Sequence, residues 1–391
     1  MKFTKLVSIL IALTLVFAAC SSDDAETTTA APAATAAPAA TDAPEATATP
    51  AVSACEGATL SFIGLAGEEG NTELAAWRDE RNMTLEISDT ADFAAMISAI
   101  QVGQEFDMVT IPYFQSQRMI DSGILQPIDT SRLTNWDDLF PGLRDNSGIR
   151  DSSGQVFGVP LVWGDGPFVY APERVENLPV SYLELADPEW KDRFVIFDDP
   201  MGTFYMTALA LGFSDAPLLT HEQLAAVAEQ AKPIVANVAA FANGYQDATD
   251  RMVAGDVDLT WPGWEAQQNW GADKGVTLDF NFFEESAAGW WDGLAIPTSS
   301  ENSDCVYEYL DAIISPELNA DVANNLASGP SNSKAESLVS GISAMYDYTL
   351  VSTLTDRTEA SFKSVSPPEE PPEGIASMQN WLDAWQEVKA G

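Results

Sequence analysis

The chain has 391 residues, of which 59 are acidic and only 18 basic, giving a net charge of −41. Nucleic acid is excluded as a partner, because binding it needs Lys and Arg to displace counterions. With one His and three Cys, and no Cys/His spacing of metal-binding type, a metal site and a cofactor are not expected either. The acidity fits a cationic ligand or a saline habitat. It is spread along the chain, so most of it reads as solvated surface.

Lys2 and Lys5 precede an apolar run from Leu6 to Phe17 that is too short for a permanent span. The run ends in Phe17-Ala18-Ala19-Cys20. This resembles a bacterial lipobox, which implies a lipoprotein signal peptide over 1–19 and lipidation of Cys20 as the first mature residue. Plain cleavage and free secretion is the alternative. Residues 20–52 are Ala, Thr, Pro, Ser and acidic residues, with no large apolar side chain before Val52. They cannot bury a core and read as a disordered tether, spanning about 30 Å root-mean-square. Cys55 and Cys305 remain. Outside the cytoplasm they are expected to pair, closing a loop worth about 5 kcal/mol in the chain-entropy model, or to stay as two buried thiols.

From Ser53 onward the chain exceeds one ordinary core and predicts two lobes. Ala58 to Gly64 reads as a strand. Leu65 to Gly70 reads as a turn, and Asn71 or Thr72 can cap a helix with Leu74 and Trp77 on one face. Met83 to Ile87 is a second strand, and Phe93, Met96, Ile97 and Ile100 keep helical spacing. Phe106 to Ile111 is a third strand, closed by Pro112-Tyr113-Phe114. This alternation predicts a parallel sheet. Ligands on such sheets sit at the carboxyl ends of strands, which puts the Leu65–Gly70 turn, Tyr113 and Phe114 at one cleft edge.

Phe157 to Pro167 reads as an extended, glycine-hinged passage containing Trp163 and Asp165. Strands follow at Phe194–Phe197, Asn237–Phe241 and Val257–Trp261, with an apolar helix over Met201–Leu211. Helices over Asp304–Ile314 and Leu318–Leu326 precede a docking helix that carries Trp381 and Trp385. Trp163 and Trp264 can either line the cleft or pack the hinge.

One stretch stands out: Gly289-Trp290-Trp291-Asp292-Gly293-Leu294-Ala295-Ile296-Pro297. A carboxylate beside indoles, at the start of a buried strand, suits a desolvated cation, since each ring face adds about 0.5–2 kcal/mol. Two core Trp and a turn Asp would give the same pattern.

In order, Asp107-Met108-Val109, Pro112-Tyr113-Phe114, Gly123 to Asp129 with Leu133-Thr134-Asn135, Gly158-Val159-Pro160 with Trp163-Gly164, Asp198-Asp199, Asn237 to Phe241 and Trp290 to Pro297 resemble the spermidine/putrescine-binding family of extracytoplasmic solute-binding proteins of ABC importers. The resemblance covers most of residues 58–330. It implies two α/β lobes of the type II periplasmic-binding-protein fold, closing over a cleft, with delivery to a membrane permease and no chemistry on the ligand. By position, it makes Asp292 and Asp199 amine-binding carboxylates, Trp290 and Trp261 aromatic walls, Phe114 a first-lobe aromatic and Asn243 a polar contact. The chain departs from the pattern at Gly202, where a second acid is usual, at Leu65 and Glu68, where Trp and Tyr are usual, and near Gly329, where an aromatic is missing. Glu68, Glu69 or Asp165 can restore a carboxylate.

The expected lobes are 53–163 with 293–335, and 164–292 with 336–391. The expected role is that of a monomeric, lipid-anchored binding protein, held outside the bacterial membrane and delivering a small cationic solute to an ABC permease. Other ligands remain open, such as a quaternary amine or an amino-acid-like solute. The rival class is a carboxylate-dependent hydrolase. No Gly-x-Ser-x-Gly elbow or metal cluster supports it, and the single His221 sits in a helix-cap region.

Overall fold

The computed structural model describes residues 53–70, 72–90, 93–213, 216–285, 289–355, 359, 367–368 and 371–391. The predicted signal peptide, the tether, Cys20 and the candidate cap Asn71 lie outside these residues. Among the described residues the strands are β1 Thr59–Gly64, β2 Thr84–Asp89, β3 Met108–Pro112, β4 Val159–Asp165, β5 Phe168–Tyr170, β6 Phe194–Phe197, β7 Ala240–Ala242, β8 Leu259–Thr260, β9 Asp279–Asn281, β10 Gly289–Ala295 and β11 Gly329–Pro330. They form two sheets, ordered β11-β4-β10-β3-β1-β2 and β7-β6-β8-β5-β9.

The parallel expectation holds for β1 with β2 and β3, and for β6 with β7 and β8. The other pairings are antiparallel. Burial explains the sequence patterns. β3 lies inside its sheet and reads as an unbroken buried run, as a strand covered on both faces should. The edge strand β2 is mostly exposed and carries Glu86 and Asp89. Asn237 ends the helix His221–Asn237 instead of opening a strand, and the predicted Val257–Trp261 strand shrinks to β8.

Each sheet has its own core. The first gathers Phe62, Ile111, Trp163 and Trp291. The second is built on Phe168, Phe194, Phe204, Trp381 and Trp385. The C-terminal helix Met378–Ala390 starts at a capping box of Ser377 and Asn380. Both its Trp residues are buried, as predicted for a docking helix.

The first sheet and its core also take in residues outside the expected first-lobe bounds. Gly164, Asp165 and Gly289–Asp292 belong to the first sheet, because β4 and β10 form one continuous ladder there. Ile342, Tyr346 and Val351 pack in the first core, so residues 336–351 belong with that lobe. Cys55 and Cys305 form a disulfide. It joins the segment before β1 to the helix Ser303–Ile313. Ser53 Oγ and the Ala54 N–H donate to Glu308 on that helix, each at 2.7 Å. Replacing both cysteines by Ala is expected to lower stability by about 2–5 kcal/mol, read as a lower urea midpoint; an unchanged midpoint would refute a structural role for the link.

Candidate functional site

On the first sheet, β1 and β3 end at one edge, and β10, running the other way, begins there. Asp292 pairs with Pro112 at the end of β3. On its other side the register with β4 shifts between Asp292 and Gly293. A Cβ at Gly293 would lie 2.5 Å from the Val159 carbonyl oxygen, so only glycine allows the strands to approach this closely. The irregularity breaks the pleat and sets Asp292 apart from the buried residues that follow it. Trp290 lies over Gly164, its pairing partner.

The turn after β1 supplies Glu68. Its carboxyl is turned inward and only 1% exposed. Oε2 accepts a hydrogen bond from the Thr110 hydroxyl on β3, and Oε1 is buried with no partner. Glu69 instead closes the turn, accepting from the Gly67 N–H at 2.7 Å. Burial, then the nearby Asp292, pushes the Glu68 carboxyl well above its usual range. Burial raises Asp292 to about 7. Tyr113 sits beside them, its hydroxyl raised by burial and by Tyr245, Asp292, Tyr205 and Asp199. Phe114 packs edge-on against Phe93 and Tyr113, with ring centroids 5.4 and 5.6 Å away.

The second sheet brings its own parallel strand ends together. Asp199 follows β6, Asn243 follows β7 and Trp261 follows β8. Asp199 caps the helix Pro200–Ala210 by accepting from the Met201 N–H at 2.9 Å. Burial still raises its carboxyl above the usual range, against that backbone donor. A Cβ at Gly202 would meet the Trp261 ring at 3.0 Å. The Trp261 ring crowds the space over Gly202, the position without the second acid. Asn243 is exposed; its backbone N–H donates to Asp247.

Tyr113 on the first lobe therefore feels Asp292 on its own lobe and Asp199 on the other. Tyr245 does the same from the second lobe, raised by burial and then by Glu265, Asp292 and Asp199. Tyr205 is pushed up to about 12 by burial. Tyr113 was expected at the cleft edge from the sequence, but Tyr205 and Tyr245 were not singled out. Tyr205 stands three residues after Gly202, and Tyr245 two after Asn243. Among the described residues, no Lys or Arg forms an ion pair with Glu68, Asp199 or Asp292.

Asp165 takes a different position. It faces Glu265, which is 2% exposed. Asp165 Oδ1 and Glu265 Oε1 are both buried without a donor, so a proton shared between the two carboxyls satisfies them. The Tyr346 hydroxyl stands 3.0 Å from Glu265 Oε2. Glu265 is raised to about 10 by burial and by Asp165. Its folded value lies above its unfolded value of about 4.3. Its contribution to stability is therefore full in acid and is lost as pH rises toward 10. Glu265→Gln puts a permanent N–H donor against Asp165. The variant should gain over the parent by several degrees in melting temperature between pH 5 and 9. Melting curves separated by the same amount at every pH would refute the shared proton.

Two facing carboxyl edges, each lined by acids and aromatic rings, define a two-lobed ligand-binding protein of the periplasmic-binding-protein type. The chain belongs to the bacterial extracellular solute-binding proteins, whose family model matches residues 96–343. It is 26% identical over 236 residues to the spermidine/putrescine-binding periplasmic protein of Escherichia coli K12, a match covering 60% of this chain and 66% of that relative, just under two thirds. It is 25% identical to the putrescine-binding periplasmic protein PotF of the same organism, over 60% of this chain and 67% of PotF. In fold it is similar to the spermidine/putrescine substrate-binding protein PotD of Streptococcus pneumoniae (TM-score 0.68, 18% identity, 84% of this chain and 97% of that one). It is equally similar to the Tp0655 lipoprotein of Treponema pallidum (TM-score 0.68, 14% identity, 85% and 100%).

Proposed function

We propose that this chain is the capture component of an ABC importer for a small cationic amine, with a polyamine such as putrescine or spermidine as the solute. The observation that carries this reading is the placement of Asp292 and Asp199 on facing edges of two lobes, both acting on Tyr113, with no basic residue paired to either among the described residues. Buried carboxylates without a counter-charge are strongly unfavourable. A ligand carrying positive charge at both ends relieves them, while its methylenes lie against Trp290, Trp261 and the tyrosines. The polyamine-binding relatives support the same choice of solute. Phe114 and Asn243 border the cleft in this reading.

The protein acts by binding and release, with no chemistry on the solute. Lipidation of Cys20 holds it at the outer face of the cell membrane, and residues 20–52 give it reach to its permease. It works as a monomer.

Calorimetric titration with putrescine, spermidine, choline and glycine betaine tests the reading. Micromolar or tighter binding of putrescine or spermidine is expected. Binding of betaine or choline alone would move the solute to the quaternary amines, and no heat with any of the four would refute an amine solute.

A further inference from the structure

Glu68 is not explained by a binding site built on Asp292 and Asp199 alone. It is among the most deeply buried acids in the chain, at 1% exposure. One oxygen is held by Thr110 and the other makes no hydrogen bond, with the Leu65 N–H as the one backbone donor acting on the carboxyl among the described residues. The charged groups that face it are Asp292 and Glu69, both of the same sign. Glu69 is engaged by the Gly67 N–H of the turn, so Asp292 is the acid left beside it. A structural role fits poorly. A buried carboxyl kept for packing alone is normally fully hydrogen-bonded, and a neutral side chain of the same shape would serve the turn without like-charge repulsion. The two acids lie on one wall. Asp292 pairs with Pro112, two residues along β3 from the threonine that pins Glu68.

We infer that Glu68 and Asp292 form a two-carboxyl seat for a single ammonium head, and that the orphan oxygen of Glu68 makes this seat selective for an amine bearing N–H donors over a quaternary ammonium. The inference rests on the amine reading above and adds the chemistry of the ligand's inner end. A primary ammonium has three N–H donors. It can give one to Asp292 and one to Glu68 Oε1 while its charge offsets both acids. A quaternary head brings the charge but no donor, and leaves Glu68 Oε1 unsatisfied. Sites built around a hydrogen bond reject ligands that lack the matching group far more strongly than apolar pockets discriminate size. Burial raises both acids when no cation is present, Asp292 to about 7. Seating an ammonium therefore expels a proton, which leaves to buffer.

The test uses the full protein with putrescine and choline as probes, titrated in two buffers of different ionisation enthalpy. The parent should bind putrescine at least 100-fold more tightly than choline, with heats that differ between buffers because a proton is released. Glu68→Gln keeps the size but offers an N–H where the ammonium needs an acceptor. It should weaken putrescine at least tenfold, shrink the preference over choline by the same factor and reduce the buffer dependence. Should that variant fail to fold, Thr110→Val removes the hydroxyl that aims Glu68, and the preference for putrescine should again fall several-fold. A parent that binds choline as well as putrescine, or variants with unaltered preference, would overturn the two-carboxyl seat while leaving the amine reading intact. A parent that binds neither probe would overturn the seat, and the amine reading falls with it if spermidine and glycine betaine also give no heat.

Discussion

Asp292→Asn is expected to weaken a polyamine ligand by about 100-fold or more, since removing one member of a buried charge pair costs about 2–5 kcal/mol. Asn keeps the shape, removes the charge and turns one acceptor into a donor. The same residue should make binding depend on pH. Burial holds Asp292 near 7 in the free protein, and the ligand needs its carboxylate form. Affinity should therefore climb by up to tenfold per unit as pH rises toward about 7, above which the Asp292 contribution levels off. Glu68 titrates beside it, while Tyr113 and Tyr245 stay neutral throughout because burial raises them.

The stability of the ligand-free protein should move the other way. The folded value of Asp292 lies above its unfolded value of about 3.9, so its contribution to stability is present in acid and is lost as pH rises through 7. Asn escapes that loss. After allowance for solvent at the partly open cleft, the gain at pH 8 is on the order of 2 kcal/mol. Calorimetric titration and thermal melting from pH 5 to 8 read both effects. Lost affinity together with a fallen melting temperature would point to damage, not to a removed contact.

Trp163→Ala should destabilise the protein by about 4 kcal/mol, within the range for emptying an aromatic site in a core. The sequence left Trp163 divided between cleft and hinge, and packing decides for the hinge core. The ring is fully buried. Its N–H donates to the Pro330 carbonyl at 3.0 Å, and Tyr346 and Tyr348 flank it at 5.4 and 5.6 Å. A Cβ at Gly329 would sit 2.5 Å from the Trp163 ring. The aromatic expected near Gly329 is absent because Trp163 already fills that volume. The loss should appear in the urea midpoint, with Trp163→Phe falling between parent and Ala. A change below about 1 kcal/mol would show that the surrounding rings collapse into the space.

The parts of the fold carried by local pattern were legible. Apolar runs marked β1, β3, β6 and β10, and helical spacing found the helices Phe93–Gln101 and Met378–Ala390. The direction of β4 and β10 was not legible, because a buried antiparallel strand gives the same apolar run as a parallel one. The site divided in the same way. Asp292 and Trp290 announce themselves in one short stretch, and Asp199 stands at a helix start. Tyr205, Tyr245 and Glu265 carry no local signal. Tertiary packing puts Tyr245 beside Asp199 and Asp292, and Glu265 beside Asp165. Asp165 looked like one more cleft acid. Its partner Glu265 lies 100 residues away in sequence, so the pairing carried no local signal.

The split of each lobe along the chain limits how such a receptor can be altered. The first core takes residues from before β5 and again from β10 to Val351, and the second core takes the helix Met378–Ala390 from beyond that return. Neither lobe is a single stretch of gene. A cassette cut at one junction would part some residues of a core from the rest of it, so the exchanged piece would have to repack against the recipient's remaining core residues. New solute preferences are more readily reached by single replacements at the two cleft edges, where Glu68, Gly202 and Trp261 can change without moving a junction.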